Sequence, residues 1–192
     1  METTTFDLAP AADAVRRVVA GIPDSALGDP TPCADTTVAG LLDHLVGLTA
    51  AFTRAAGKLP GGTASADPAA LPADWRTRLP VQLDELAAAW REPGSWDGEA
   101  EAGGVVMPAP VMAVVALDEL VVHGWDLAVA TGQAYRPDDE SVRRSLGFAG
   151  SVGDDPEERA GLYGPVVPVP ADAPLLDRLL GATGRDPRWQ PR

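Results

Sequence analysis

The sequence predicts an all-α fold. Three observations carry that expectation: apolar stripes at helical spacing in three successive segments, an unbroken helical pattern of about 22 residues in a fourth, and connections rich in Pro, Gly and Asp between them. With 192 residues, 45% of them hydrophobic, the chain can bury a substantial core, and its length argues for one domain spanning residues 1–192.

The first helix is expected from about Pro10 to Gly21, with Val15, Val18, Val19 and Ile22 as its stripe. A Pro- and Asp-rich loop covers residues 23–34. The second helix opens at Asp35-Thr36-Thr37, three consecutive capping residues, and runs to about Ala56 ahead of Gly57. Residues 57–74 are rich in Pro, Gly, Ala and Ser and read as a long surface connection, a length that is usually mobile or functional. The third helix covers about Trp75 to Trp90 with Leu79, Leu83, Leu86 and Trp90 in one row, Pro80 marking its first turn or a kink. Residues 96–107 carry three glycines and read as an extended crossover. The fourth helix starts near Pro110, continues through Ala130 and ends at Gly132, about 33 Å at 1.5 Å per residue. A fifth helix is expected over residues 138–152, then an extended stretch over 163–170 and a short helix from Pro174 to Thr183, closed by Gly184.

Composition excludes several roles. A formal net charge of -13, with Lys58 the one lysine among fifteen basic residues, makes nucleic acid a poor partner, because phosphate binding needs clustered cations. No apolar run approaches membrane-spanning length, and the first residues lack the basic and apolar regions of a secretory signal, so no membrane partner is expected. One cysteine, Cys33, allows no internal disulfide and fits a reducing cytoplasm.

The chain has two histidines, His44 and His123, and each falls on or beside the apolar side of a helical segment. Glu119 lies four residues before His123, one turn away on the same face. A carboxylate on an otherwise apolar helix must be paired, solvated in a cavity or bound to a cation. A Glu and a His at this spacing, met by a His from a second helix, form a three-ligand site for a divalent metal with open coordination positions. Asp126, three residues past His123, can orient the ring N–H of that ligand; the alternative is a solvated carboxylate near the helix end. Trp125 is expected to wall the site, and Gly47 and Gly124, each costly inside a helix, to mark a close helix approach or a cleared pocket. Cys33, adjacent in sequence to neither histidine, reads as a small buried hydrophobe rather than a nucleophile. No catalytic residue is assigned.

Certain motifs are more specific. Thr31-Pro32-Cys33, then Thr37-Val38 leading into Leu41-Leu42-x-His44, then Asp-Glu-Leu-Val-Val-His-Gly-Trp-Asp-Leu-Ala over residues 118–128, and last Asp-Arg-Leu-Leu-x-x-Thr-Gly-Arg-Asp-Pro-x-Trp over 177–189, resemble the actinobacterial metal-binding proteins of the DinB/YfiT-like superfamily. They are similar in particular to the N-terminal domain of mycothiol-dependent maleylpyruvate isomerase, and the resemblance runs from about Asp7 to Trp189. It implies a DinB/YfiT-like four-helix bundle with an additional C-terminal helical and extended segment, and a divalent metal held by His44, Glu119 and His123. Many superfamily members use three histidines; this chain fits the His, Glu, His variant. It has no clear counterpart of the isomerase's separate C-terminal domain.

The function so implied is that of a thiol-dependent transferase or isomerase, with mycothiol as cosubstrate and an unknown electrophile as the second substrate. A thiol on a divalent metal is deprotonated outright, which supplies a nucleophile at neutral pH. Zinc suits the ligands, as do nickel, iron and manganese. The alternatives are a metal-dependent hydrolase using a bound water, or a protein that binds metal or thiol without catalysis. A homodimer through the outer apolar faces of the bundle is expected.

Overall fold

A computed structural model describes residues 5–62 and 64–191. Four long helices, α1 (Ala9–Ala20), α2 (Val38–Ala56), α3 (Trp75–Ala89) and α4 (Ala109–Ala130), form a bundle in which α1 and α2 each pack against both α3 and α4. The all-α expectation therefore holds, with one addition. Residues 96–107 do not form a plain crossover: β1 (Glu99–Ala102) and β2 (Val105–Pro108) pair antiparallel, with Ala102 opposite Val105. The turn between them is Gly103-Gly104, both at positive φ (61° and 79°), the two-residue geometry that matches strand twist.

Local chemistry sets the helix ends. Thr37 caps α2 by accepting the Gly40 N–H at 3.2 Å, which selects the last of the three candidate caps. Pro80 sits in the second turn of α3, not the first, and is accommodated within the helix. The core is leucine-rich: Leu41, Leu42, Leu45, Leu79, Leu83, Leu86, Leu117 and Leu120 are all buried, each contributing about 1.5–3 kcal/mol. One end of the bundle is closed by aromatics. Phe6 packs edge-on against Trp96 and Trp96 against Trp90, at centroid distances of 5.1 and 5.6 Å. Both indole N–H groups are satisfied, Trp90 donating to the Phe52 carbonyl and Trp96 to the Trp90 carbonyl.

Beyond the bundle, α5 (Asp139–Ala149) packs on α4 and on α7 (Leu175–Ala182), with the single turn α6 (Pro156–Arg159) between them. Arg159, buried, holds this segment together by donating to the carbonyls of Gly164, Gly153 and Ala182. Gly184 follows α7 at φ 83°, and a Cβ there would lie 2.8 Å from the Gly164 backbone, so the two strands of chain touch where only glycine fits.

Gly124 clears space, but not for a helix. A Cβ on it would meet the Tyr135 ring at 2.6–2.9 Å, so the loop after α4 folds back onto this position. The exposed large apolar side chains are Leu59, Val81, Val105, Val106, Val111, Leu162 and Val166. Of these, Val105, Val106 and Val111 belong to β2 and the start of α4, and α1 and α2 contribute none. Among the described residues, no helix is long and apolar enough to cross a membrane.

Candidate metal centre

The structure brings His44, Glu119 and His123 together from α2 and α4. One ligand atom from each lies within 4.8 Å of the other two. Glu119 Oε2 is 2.9 Å from His123 Nε2 and 3.6 Å from His44 Nε2. A tetrahedral ion with bonds of about 2.0–2.1 Å holds neighbouring ligand atoms roughly 3.4 Å apart, so the spacing fits. The two imidazoles stand edge to face, 5.2 Å between centroids.

Each ring is oriented by what its other nitrogen touches. His44 Nδ1 lies 3.2 Å from the Ser65 carbonyl oxygen, and His123 Nδ1 lies 3.0 Å from Asp126 Oδ2. Both oxygens only accept, so Nδ1 carries the proton in each ring and the neutral form turns a bare Nε2 lone pair toward Glu119. Glu119 Oε2 is itself buried and faces the two imidazoles, although the side chain keeps 23% of its surface. With both rings neutral, two lone pairs and a carboxylate oxygen would converge, and such an arrangement draws in positive charge: a proton on His123 Nε2, paired with Glu119 at 2.9 Å, or a cation in its place. Burial opposes charge on His123, but Asp126 and Glu119 overcome it and push its pKa up to about 10. Burial likewise raises Glu119, yet His123 and His44 hold it well below the usual carboxylate range.

Asp126 is fully buried, not solvated at the helix end. Its carboxylate takes His123 on Oδ2 and Arg185 on both oxygens, at 3.1 Å from Nη2 and 3.4 Å from Nε. Asp118, next to Glu119, is buried and accepts the Tyr163 hydroxyl at 2.8 Å, while its Oδ1 has no partner. Burial pushes Asp118 up to about 7, against the pull of Tyr163's hydrogen bond. On the other helix, Asp43 Oδ2 accepts from Ser65 Oγ at 2.6 Å and from the Asp67 N–H at 3.2 Å. The connection over residues 57–74 is therefore fastened to the turn that carries His44.

A cleft of about 420 Å³ opens onto the three ligands. Its walls come from the loop before α2 and from the C-terminal segment, including Cys33, Leu162, Tyr163 and Arg185. Cys33 corrects the sequence expectation. It is half-buried, and its sulfur lies within 4.8 Å of both a His123 nitrogen and an Asp126 oxygen, because Thr31 Oγ1 binds the carbonyls of Cys33 and Thr36 and folds the loop inward. Trp125 is buried and does not wall the cleft, since two residues along a helix rotate the side chain some 200° away from His123. Gly47 is half-buried and also outside the lining, one turn further along α2. Arg185, Tyr163 and Ser65 were invisible as site residues because each reaches the centre from far along the chain. The closing Gly184-Arg185-Asp186-Pro187 motif is the one sequence signal that touches any of them.

A helical bundle whose facing helices offer two imidazoles and a carboxylate to one open cleft defines a class of candidate mononuclear metalloproteins. Within it, the chain belongs to the family of the mycothiol maleylpyruvate isomerase N-terminal domain, whose model matches residues 8–128. Two uncharacterised proteins of Mycobacterium tuberculosis, from strains CDC 1551 / Oshkosh and ATCC 25618 / H37Rv, are each 29% identical over 184 residues, covering 93% of this chain and 95% of theirs. The crystal structure of the mycothiol-dependent maleylpyruvate isomerase shares the fold, with a TM-score of 0.55 at 17% identity over 74% of this chain and 66% of that one. The chain thus spans just under two thirds of that enzyme. Residues 161–165 and 183–185, which wall the cleft, lie beyond the family match.

Proposed function

We propose that His44, Glu119 and His123 hold one divalent cation, and that the cleft above them receives a small thiol for transfer to, or isomerisation of, an electrophilic second substrate. The observation that carries this reading is the convergence of the buried Glu119 Oε2 with two imidazole nitrogens, one from its own helix at 2.9 Å and one from a second helix at 3.6 Å. When bound, the cation would supply the charge that keeps a thiol as its thiolate at neutral pH. Two neutral imidazoles and one carboxylate leave a +2 ion with a formal local charge of +1, which attracts an anion even within a chain of net charge -13. Zinc suits the donor set; nickel, iron and manganese fit as well.

The protein's own share is positional. Asp126 and the Ser65 carbonyl fix the two rings with Nε2 presented. Leu41, Leu162 and Pro165 give the cleft an apolar lining that limits water, while its mouth stays open to solvent. That opening favours a working site over a closed structural one, which would be saturated by four protein ligands. Membership in a mycothiol-related family makes mycothiol the thiol of first choice. A symmetric dimer belongs to the same proposal, although the exposed large apolar side chains lie around β2 and the start of α4 and not along the outer faces of α1 and α2.

Elemental analysis of protein purified without chelator is expected to find close to one transition-metal equivalent per chain; well under half an equivalent would overturn the metal reading. With cobalt in the site, saturating mycothiol should produce a sulfur-to-metal charge-transfer band. An unchanged cobalt spectrum would leave the metal reading standing and remove the thiol. Sedimentation at micromolar concentration reads the dimer, and a monomer there would end it.

A further inference from the structure

We infer that Arg185, delivered by the C-terminal segment, is a positioning residue for the metal centre, acting through Asp126 on His123. The inference rests on the metal reading above and goes beyond it, because it makes a residue outside the family-matched region 8–128 part of the site's machinery.

The geometry is a chain of three buried groups. Arg185 is 8% exposed and Asp126 fully buried, and they meet through two guanidinium nitrogens on two carboxylate oxygens. The third guanidinium nitrogen, Nη1, donates to the Thr183 carbonyl at 2.8 Å, so all three nitrogens are engaged and the fork cannot swing. Asp126 Oδ2 is shared: it accepts from Arg185 Nη2 at 3.1 Å and from His123 Nδ1 at 3.0 Å. A carboxylate pinned on one side by a planar fork presents a fixed lone pair on the other. The imidazole of His123 is therefore held both in tautomer and in rotation, with Nε2 aimed at Glu119.

Two features show that this contact is built rather than incidental. Gly184, at φ 83° and with no room for a Cβ against Gly164, turns the chain at the residue before Arg185 and points it back at α4. Among the described residues lining the cleft, Arg185 is the one Lys or Arg, so no neighbouring cation can take its place on Asp126. Removing it would leave a buried carboxylate balanced by His123 alone, free to draw the ring out of line.

The test uses the full chain loaded with cobalt. Wild type, Arg185→Gln, Arg185→Lys, Asp126→Asn and the double variant R185Q/D126N are titrated with the ion, with helical content followed by circular dichroism. Groups that orient a ligand typically cost 10–100-fold in metal affinity when lost. Arg185→Gln is expected to weaken cobalt binding within that range and to shift the visible d–d bands. Arg185→Lys should recover the affinity only in part, since an ammonium cannot reproduce the fork. The double variant should be no weaker than Asp126→Asn alone, because both act through one path. A structural role alone would lower the melting temperature of the metal-free protein and leave the affinity and spectrum of the folded fraction as in wild type. That result, or strictly additive losses in the double variant, would overturn the proposal. Should Arg185→Gln fail to fold, Arg185→Lys carries the same readouts. A wild-type protein that binds no cobalt would overturn the metal reading itself, an outcome separate from cobalt-binding wild type with unchanged variants.

Discussion

Two buried regions of this bundle solve the same problem in opposite ways. At the aromatic end, Trp90 and Trp96 bury large rings, and each indole N–H finds a carbonyl. At the centre, Asp118 Oδ1 is buried without a partner and Glu119 Oε2 faces only the two imidazoles, a turn of helix from fully packed leucines. A satisfied polar group stabilises a fold and asks for nothing further, whereas an orphaned one costs about 1–3 kcal/mol and persists where another purpose is served. The difference separates what holds the chain together from what it is folded to do.

That separation can be broken by experiment. The largest effect is expected from His123→Ala, which removes one of three ligands: metal binding should be lost at micromolar protein while far-ultraviolet circular dichroism stays helical. Retained stoichiometric metal would dissolve the distinction. Trp90→Ala should do the reverse, costing about 3–5 kcal/mol in denaturant unfolding and leaving the metal affinity of the folded fraction unchanged. If affinity falls in parallel with stability, the two regions are one unit.

Protons sharpen the comparison further. With its pKa pushed up to about 10, His123 carries a proton at neutral pH that an incoming cation must displace. Close to one proton should be released per ion bound at pH 7, and affinity should strengthen as pH rises toward 10. Calorimetry in buffers of different ionisation enthalpy counts that proton; none released would mean the rings are already neutral. The linkage in the metal-free protein has the matching sign. A raised histidine pKa adds stability that is complete below about 6.5, its unfolded value, and is lost as pH climbs through about 10. The smallest effect is expected from Tyr163→Phe, which deletes one hydrogen bond to Asp118 and should cost roughly 1 kcal/mol with metal affinity close to wild type.

The parts legible in the sequence were those in which cause and effect sit close together along the chain. Glu119 and His123 are four residues apart, so helical pitch alone puts them on one face, and Asp126 follows from the same arithmetic. Thr37 announces the start of α2, and Leu79, Leu83 and Leu86 the buried row of α3. The hairpin is not legible in the same way, although Gly103-Gly104 is a strong turn signal, because strands of four residues leave too short an alternation to stand out against extended chain. Trp125 is near His123 in sequence but not on its side of the helix, so closeness along the chain does not carry it to the cleft. Arg185 lies 59 residues from Asp126 and Tyr163 lies 45 from Asp118, and no local rule spans that distance. Cys33 was hidden for a similar reason, since the inward fold of its loop depends on side-chain bonds from Thr31.

The fastening of residues 57–74 to α2 has a consequence of its own. Asp43 gathers Ser65 and Asp67, and the Ser65 carbonyl receives His44, so the long connection and the ligand ring share a single hinge. Any event that locks the ring also shelters the Asp67 amide, and any event that releases it exposes that amide to solvent. The connection is in this sense the molecule's own gauge of occupancy: hydrogen exchange at Asp67 should slow on cobalt loading in wild type and stay unchanged in His44→Ala, reporting from the surface what happens at a buried oxygen.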